Sequence, residues 1–301
     1  MKMLDIGKTS ENLRTHLRAL TVEIGERSIY RPDNLLKAAA YIASVHRAEG
    51  LEPLVDFYTF RDVPVTNVAS RIDFRPDPSR NFVLGAHYDS LRGTVGADDN
   101  ASSIAVQLET LRELKKLRDK IDLDLSVSFV SFTLEEPPGF RSRGRGSRVY
   151  AEKAKRTGEC IDGMICLEMV GFRSRRPNSQ RYPFPLNLAD YPKQGDFVAI
   201  VGNSGSRQFT RELLQSFGNN PRLPAIGLSV PFNGWILPSV RRSDHVSFWD
   251  LGYKAVMITD TAFFRNPNYH RTSDTMDTLD YEFMAELVKS LVAFFASRGE
   301  K

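Results

Sequence analysis

The sequence predicts an α/β fold: a single domain with a mixed, mainly parallel β-sheet sandwiched between helices. The first indication is that short apolar segments alternate with segments whose apolar residues recur at helical spacing. The second is that polar side chains repeatedly follow the apolar segments, as they do at the strand ends of α/β proteins. A chain of 301 residues suffices for one large domain or two small ones. Because no repeat or low-complexity linker divides it, we expect one domain over residues 1–301.

The predicted elements alternate along most of the chain. Pro32 in a first turn and Gly50 at a stop delimit one helix, and Ile104, Leu108 and Leu111 illustrate the helical spacing of another. The predicted helices are 10–25, 32–49, 101–117, 147–156, 206–217, 246–251 and 281–297. The predicted strands are 54–60, 65–72, 82–86, 123–134, 163–170, 197–201 and 255–259, the first two as a possible hairpin.

Residues 173–196 carry four prolines and little periodicity. Loops of this length in a compact domain usually have a function, so we interpret the segment as an active-site loop or lid.

Composition excludes some classes of partner. A net charge of +4 is too weak to indicate nucleic-acid binding without a focused basic patch. The arginines of 141–148 are interleaved with glycine and serine, which favours a substrate-rim contact or a solvated loop. No apolar run is long enough to span a bilayer, so we expect no membrane partner. The sequence leaves the oligomeric state open.

Cysteine usage and the N-terminus bear on the compartment. Cys166 lies in an apolar run and is predicted to be a buried thiol, and Cys160 supplies no clear disulfide partner. The polar N-terminus lacks the apolar region of a signal peptide. We therefore expect a cytoplasmic protein, or a secreted or periplasmic one if a leader was trimmed.

Candidate metal ligands follow several apolar segments. His87 ends the run after Phe82, two aspartates stand in the glycine-bounded turn 96–102, and Glu135-Glu136 follows the apolar run 125–132. The candidate ligands are His87, Asp98, Glu136, Glu168 and His270. If they converge, two nitrogens and three carboxylates suffice for two divalent ions, most simply zinc, sharing one bridging carboxylate.

Two neighbouring carboxylates suit supporting roles. Glu135 is the natural general base, since a carboxylate beside a metal-activated water can transfer its proton to a leaving amine. Asp89 lies two residues after His87 and can accept the second ring N–H of that histidine. Each motif by itself can also have a purely structural role, because Asp98-Asp99 can cap a helix and Glu135-Glu136 can be a solvated strand end. The joint order favours the metal site.

At these residues the chain resembles the M28 family of zinc aminopeptidases, which includes bacterial leucyl-type aminopeptidases, glutamate carboxypeptidase II and glutaminyl cyclases. The matching motifs span residues ~80–295. They are His87-Tyr88-Asp89-Ser90, Gly96-Ala97-Asp98-Asp99-Asn100-Ala101-Ser102, Glu135-Glu136, Leu167-Glu168-Met169 and Tyr269-His270 with Asp274-Thr275.

The resemblance implies a zinc-exopeptidase fold and a di-zinc aminopeptidase that hydrolyses N-terminal residues of peptides through a metal-bridging hydroxide. Asp98 would bridge the ions, and Glu135 would be the general base. His87 and Glu168 would complete one site, and Glu136 and His270 the other.

The resemblance also implies further roles. Tyr269 would donate to the oxyanion, and the peptide between Asp98 and Asp99 would be cis. Asp244 and His245 would lie behind the ligands or in the substrate pocket. Glu168 departs from the family's usual aspartate, although both residue types supply oxygen ligands.

Three alternatives stay open. A glutaminyl cyclase-like acyltransferase would use the same fold, typically with one zinc, but such enzymes depart from the Asp-Asp-Asn-Ala-Ser pattern. The arginines near the site leave room for a carboxypeptidase acting on acidic dipeptides. A non-catalytic binding module is disfavoured because all five candidate ligands and both glutamates are retained.

Overall fold

Eight strands form one mixed sheet in the computed structural model, which describes residues 4–299. In chain order the strands are β1 Leu54–Phe60, β2 Val63–Asp73, β3 Asn81–His87, β4 Ser126–Phe132, β5 Gly163–Glu168, β6 Val198–Asn203, β7 Ala225–Val230 and β8 Ala255–Thr259. Their spatial order is β1-β2-β4-β3-β5-β8-β6-β7.

The four central strands, β4, β3, β5 and β8, are parallel to one another. The outer pairs β1–β2, β2–β4 and β6–β8 are antiparallel, and β6–β7 is parallel. The carboxyl ends of the central strands therefore meet at one edge, where α/β proteins place ligands. His87 ends β3, Glu168 ends β5, and Glu135-Glu136 follows β4 closely at this edge.

Helices cover both faces of the sheet. They are α1 Ile6–Arg18, α2 Pro32–Ala48, α3 Ser103–Arg118, α4 Gly146–Thr157, α5 Arg207–Phe217, α6 His245–Trp249 and α7 Tyr281–Gly299. One hydrophobic cluster holds residues of α1, α2, α3, α5 and α7, and a second holds residues of α4 and α6. Adjacent residues of β3 divide between them, since Leu84 joins the first cluster and Val83 the second. The predicted fold class is confirmed.

The structure differs from the predicted elements in a few places. Strand β7 was not predicted: Ile226 and Leu228 alternate as in a strand, but Gly227 weakens that pattern. The glycine leaves room for α5, since a Cβ there would lie 2.3 Å from a Leu214 methyl carbon, which would have to move. Helix α1 begins at Ile6, four residues before the predicted start, and continues into a π-helical segment, Ala19–Ile24.

Two smaller predictions can be compared with the coordinates. Cys166 is buried and unpaired, as predicted, and Cys160 is exposed. Within residues 4–299 no helix combines the length and apolar character needed to cross a membrane. Segment 173–196 contains one short 3₁₀ turn and is closed by a backbone bridge between Ser174 and Gly195.

Candidate metal centre

The first half of the centre is built from strand ends. His87 Nε2 lies 3.4 Å from Asp99 Oδ1 and 3.4 Å from Glu168 Oε2. Strands β3 and β5 are adjacent, and Asp99 lies in the turn that leads into α3. All three residues are buried. We call this group the His87 triad.

The second half is built from loops. His270 Nε2 lies 3.2 Å from Asp99 Oδ2 and 3.6 Å from Glu136 Oε1. The His270 side chain is 32% exposed, and its backbone φ of 58° is in the left-handed region. We call this group the His270 triad. The two carboxylate oxygens of Asp99 face different histidines, which is the arrangement expected of a bridging ligand.

The structure corrects the prediction for Asp98. It lies outside both triads: its Oδ1 accepts from the Gly171 amide at 2.8 Å and its Oδ2 from Asn266 Nδ2 at 2.6 Å. The neighbouring Asp99 occupies the shared position instead. The cis peptide is likewise one bond further on, between Asp99 and Asn100. The side chains of Asp98 and Asp99 point in different directions from one irregular turn. Their identical residue type does not show which of them faces the two histidines.

The turn depends on a glycine. Gly96 has a φ of +51°, and a Cβ there would lie 2.1 Å from the Asp99 carbonyl oxygen. Any side chain at 96 would therefore displace the backbone that carries Asp99.

The donor atoms fit a divalent cation. His87 Nε2 and Glu136 Oε1 are buried and have no hydrogen-bond partner in the described part of the chain. Buried polar atoms normally have a hydrogen-bond partner, so the absence of one at both atoms indicates a ligand from outside the chain. In each triad the candidate ligand atoms lie within 4.8 Å of one another. Imidazole nitrogens combined with carboxylate oxygens form a donor set that suits zinc.

Electrostatics of the protein groups also favour a cation. Burial and the charge of Asp99 raise the pKa of Glu136 to about 8. Burial opposes protonation of His270, yet contacts with Asp99 and Glu136 raise its pKa to about 10. Asp99 itself has a lowered pKa because its contacts with His270 and His87 outweigh the effect of burial. The cluster therefore concentrates negative charge that a cation can neutralise.

Asp89 supports both halves. Its carboxylate accepts from the backbone amides of Glu135 at 3.1 Å and Glu136 at 2.9 Å. It also lies 3.4 Å from His87 Nδ1, and that nitrogen hydrogen-bonds the backbone carbonyl of Asp89 at 3.2 Å. Asp89 thus ties the loop after β4 to the histidine at the end of β3.

Two supporting residues were missed in the sequence. The carboxylate of Asp274 accepts from the amides of Asp98 at 2.9 Å and Asp99 at 3.1 Å. Ser243 donates to Glu168 Oε2 at 2.5 Å. Asp274 lies in a matching motif, but only the tertiary structure shows which backbone it holds.

Glu135 lies beside Glu136 but contacts different partners. Arg145 Nη2 donates to Glu135 Oε1 at 2.5 Å, and Arg145 Nε donates to Asp244 at 3.2 Å. The expectation of a rim or solvated position for the arginines of 141–148 is wrong for Arg145, which is 6% exposed. Burial raises the pKa of Glu135 well above its usual range, and Arg145 opposes that rise.

An apolar pocket adjoins the centre. Glu168 and Tyr269 line it, and the Tyr269 ring stacks on His270 with 3.7 Å between ring centroids. Segment 173–196 contributes Gln180, Arg181, Tyr182, Pro183, Leu186 and Tyr191 to its wall. His245 is absent from the lining: its Nε2 bonds the Val240 carbonyl at 2.8 Å behind the pocket.

These features define a class: an α/β protein with a candidate two-cation centre and an apolar pocket at the carboxyl edge of its sheet. The sequence model described as Peptidase family M28 matches residues 67–295. The chain belongs to this family, so the resemblance inferred from its motifs is confirmed. Membership makes it an enzyme of a metallopeptidase type, for which peptides are the implied substrates.

The chain also matches individual proteins. It is 37% identical over 295 residues to YfbL of Escherichia coli (strain K12), covering 94% of this chain and 86% of that protein. It is 27% identical to a protein of Pyrenophora tritici-repentis (strain Pt-1C-BFP) named "Probable zinc metalloprotease", over 75% of this chain. The match spans only half of that fungal protein.

Solved structures share the fold. LapA aminopeptidase of Legionella pneumophila superposes with a TM-score of 0.74 at 19% identity, covering 98% of this chain and 74% of that one. Glutaminyl cyclase of Porphyromonas gingivalis superposes with a TM-score of 0.71 at 15% identity, covering 99% of this chain and 100% of that one. At these identities the likeness concerns the fold alone.

Proposed function

We propose that the protein is a metal-dependent aminopeptidase that removes N-terminal residues from peptides. One observation carries the proposal: the two oxygens of Asp99 face two different histidines, beside a buried glutamate and an apolar pocket. Family membership supports a peptidase, and the name of the fungal relative supports zinc. The structural similarity to LapA, a named aminopeptidase, is compatible with an exopeptidase.

His87, Asp99 and Glu168 would hold one ion. Asp99, Glu136 and His270 would hold the other. When bound, the ions would supply Lewis acidity to the scissile carbonyl and to the attacking water.

Glu135 acts as the general base, and the Arg145 cation favours its ionised form against the effect of burial on its pKa. Arg145 donates a hydrogen bond to Glu135 Oε1, while Glu135 Oε2 makes no hydrogen bond within residues 4–299. Oε2 therefore takes the proton of the attacking water and delivers it to the leaving amine. Arg145, itself held by Asp244, keeps the carboxylate oriented during both transfers.

Tyr269 stabilises the oxyanion. Burial raises the pKa of its phenol, so the hydroxyl stays protonated at neutral pH and donates a hydrogen bond. Stacking on His270 places the ring beside the second triad.

The pocket selects the N-terminal residue. Aromatic and aliphatic side chains dominate its lining, which favours an apolar residue at the substrate's N-terminus. Glu168 belongs to both the His87 triad and the pocket wall, so negative charge is available near the substrate's α-ammonium group. Segment 173–196 forms one wall and serves as an active-site loop.

Two adjacent isosteric substitutions test the proposal. Glu135→Gln should retain zinc at the wild-type stoichiometry while turnover of leucyl-p-nitroanilide falls by about 10²-fold or more. Glu136→Gln should reduce bound zinc as well as turnover. Zinc is measured by mass spectrometry after gel filtration. Wild-type turnover by Glu135→Gln contradicts the assignment of the base.

The fold is also compatible with a second candidate, a glutaminyl cyclase-like acyltransferase, because a glutaminyl cyclase shares this fold over its whole length. Assays of the wild type with aminoacyl-anilides and with a glutaminyl peptide separate the two. Cyclisation without hydrolysis, together with one zinc per chain, would replace the aminopeptidase proposal.

A further inference from the structure

Arg27 is a fully buried arginine that the proposed chemistry does not use. It lies between the π-helical segment Ala19–Ile24 and α2, outside the region 67–295 that matches the family. A guanidinium is seldom buried completely unless its donors are satisfied, so its partners show what it holds.

The partners of the Arg27 side chain are five backbone carbonyl groups. Nε donates to Tyr88 O at 2.7 Å, Nη1 to Leu20 O at 3.1 Å, Gly25 O at 3.1 Å and Val95 O at 2.7 Å, and Nη2 to Gly96 O at 2.9 Å. The backbone amide of Arg27 also donates to Ser90 Oγ at 3.0 Å. The guanidinium makes no hydrogen bond to a carboxylate within residues 4–299.

Three of these carbonyl groups lie in segments that carry ligands of the candidate centre. Tyr88 directly follows His87, and Val95 and Gly96 begin the turn that presents Asp99. The Arg27 guanidinium joins these two segments, which are separated in sequence by residues that include the exposed Arg92 and Gly93. Its planar fork reaches both in one fixed geometry, which a lysine ammonium does not reproduce.

The charge of Arg27 complements the centre. Burial lowers its pKa to about 10, and the nearby carboxylates of Asp89, Asp274 and Asp99 oppose that lowering. The group is therefore cationic at neutral pH, behind the acidic cluster. It offsets part of the repulsion among these carboxylates without occupying their oxygens.

We propose that Arg27 is a positioning residue for the metal centre, which clamps the loops of His87 and Asp99 in the geometry that binds the cations. The inference rests on the proposed metal site. It makes the N-terminal segment part of the functional unit, although that segment lies outside the family match.

A purely structural role is the competing explanation. An arginine that only stabilises the fold would lower the melting temperature equally with and without zinc. A positioning residue reduces the additional stabilisation that zinc supplies, because that increment depends on the zinc affinity of the folded state.

The experiment compares Arg27→Met and Arg27→Lys with the control Arg112→Met. Arg112 on α3 contacts Glu49, which directly follows α2, at 2.7 Å and Glu109 of its own helix at 2.6 Å, away from the centre. Each full-length variant is stripped with a chelator, and its melting temperature is measured over a zinc titration. Zinc affinity is measured in parallel by calorimetry.

We expect Arg27→Met to lose about 10-fold to 100-fold in zinc affinity, the usual cost of removing an outer support of a metal ligand. Arg27→Lys should lose less, and Arg112→Met should melt lower with an unchanged zinc increment. If Arg27→Met does not fold, Arg27→Lys decides. The inference is overturned if Arg27→Met folds and binds zinc as tightly as the wild type. It is likewise overturned if Arg27→Met does not fold and Arg27→Lys binds zinc as tightly as the wild type. Absence of a zinc increment in the wild type overturns the proposed metal site itself.

Discussion

The two triads that share Asp99 differ in how their ligands are supported. His87 and Glu168 are the final residues of adjacent parallel strands and are buried. Glu136 and His270 lie in loops, and His270 is one-third exposed with a left-handed backbone. A sheet holds its strand ends by many hydrogen bonds, whereas a loop opens at lower free energy.

The difference predicts that the two proposed cation positions are unequal. The His87 triad is preorganised, so little entropy is lost when a cation binds there. The His270 triad must order a more exposed histidine. We therefore expect the His87 triad to fill first and the His270 triad to exchange its ion more readily.

The largest effect should follow a substitution of Asp99, the ligand that both triads share. Asp99→Asn should remove both ions and reduce kcat/KM by about 10³-fold or more, since neither half keeps its shared ligand. Asp98→Asn is the matched control, because that residue supports Gly171 and Asn266 instead. It should retain zinc and lose about 1–3 kcal/mol of folding free energy. If Asp98→Asn loses zinc and Asp99→Asn retains it, Asp98 is the bridging ligand.

Replacing each of the two histidines separately tests whether the two positions are unequal. His270→Ala should keep one tightly bound zinc per chain, while His87→Ala should lose the tight ion and bind the other weakly. Activity should fall by about 10²-fold or more in both, because catalysis by the proposed route uses both positions. Zinc content after gel filtration checks the order. One tightly held ion in His87→Ala and none in His270→Ala would reverse it.

Zinc titration of the stripped wild type should show two steps. We expect their dissociation constants to differ by about 10-fold or more, because only the His87 triad has all of its ligands buried, two of them at strand ends. Calorimetry measures both steps, and the tighter step should survive in His270→Ala. Two equal steps would mean that the exposed loop ligand is as well organised as the strand ends.

The smallest effect concerns a residue remote from both halves. His46 on α2 contacts Ser70 Oγ at 2.8 Å, and burial lowers its pKa to about 4. Between pH 6.5 and 4 the unfolded chain therefore binds a proton that the folded protein does not. The free energy of unfolding should therefore fall as the pH decreases across this range and level off below it. Between pH 7 and pH 5 this group should account for a decrease of about 2 kcal/mol.

Urea denaturation of stripped protein at pH 7 and pH 5 tests the prediction. His46→Gln should show a smaller difference between the two pH values than the wild type. The remaining difference can then be assigned to other groups, including those of the metal centre. Equal pH dependence in both proteins would exclude His46 as a source.

Much of the architecture could be predicted because it depends on local patterns. Helical spacing located α3, and the apolar runs before His87 and Glu168 located β3 and β5. Strand β7 was not predicted because its glycine weakens the local pattern, and that glycine lies against Leu214 on α5, a contact that only the tertiary structure shows. The burial of Arg145 was not predicted because it belongs to a run of arginines whose nearest members, Arg143 and Arg148, are exposed or half-buried, whereas its carboxylate partners, Glu135 and Asp244, lie in other segments.

The sequence by itself determined which chemical groups are available and in what order they follow the strands, and this sufficed to indicate the family. Side-chain direction in an irregular turn is set by backbone angles and by partners elsewhere in the chain, so only the tertiary structure decided between Asp98 and Asp99. The same holds for Arg27. Its five carbonyl partners come together only when the N-terminal segment packs against the loops that carry His87 and Asp99.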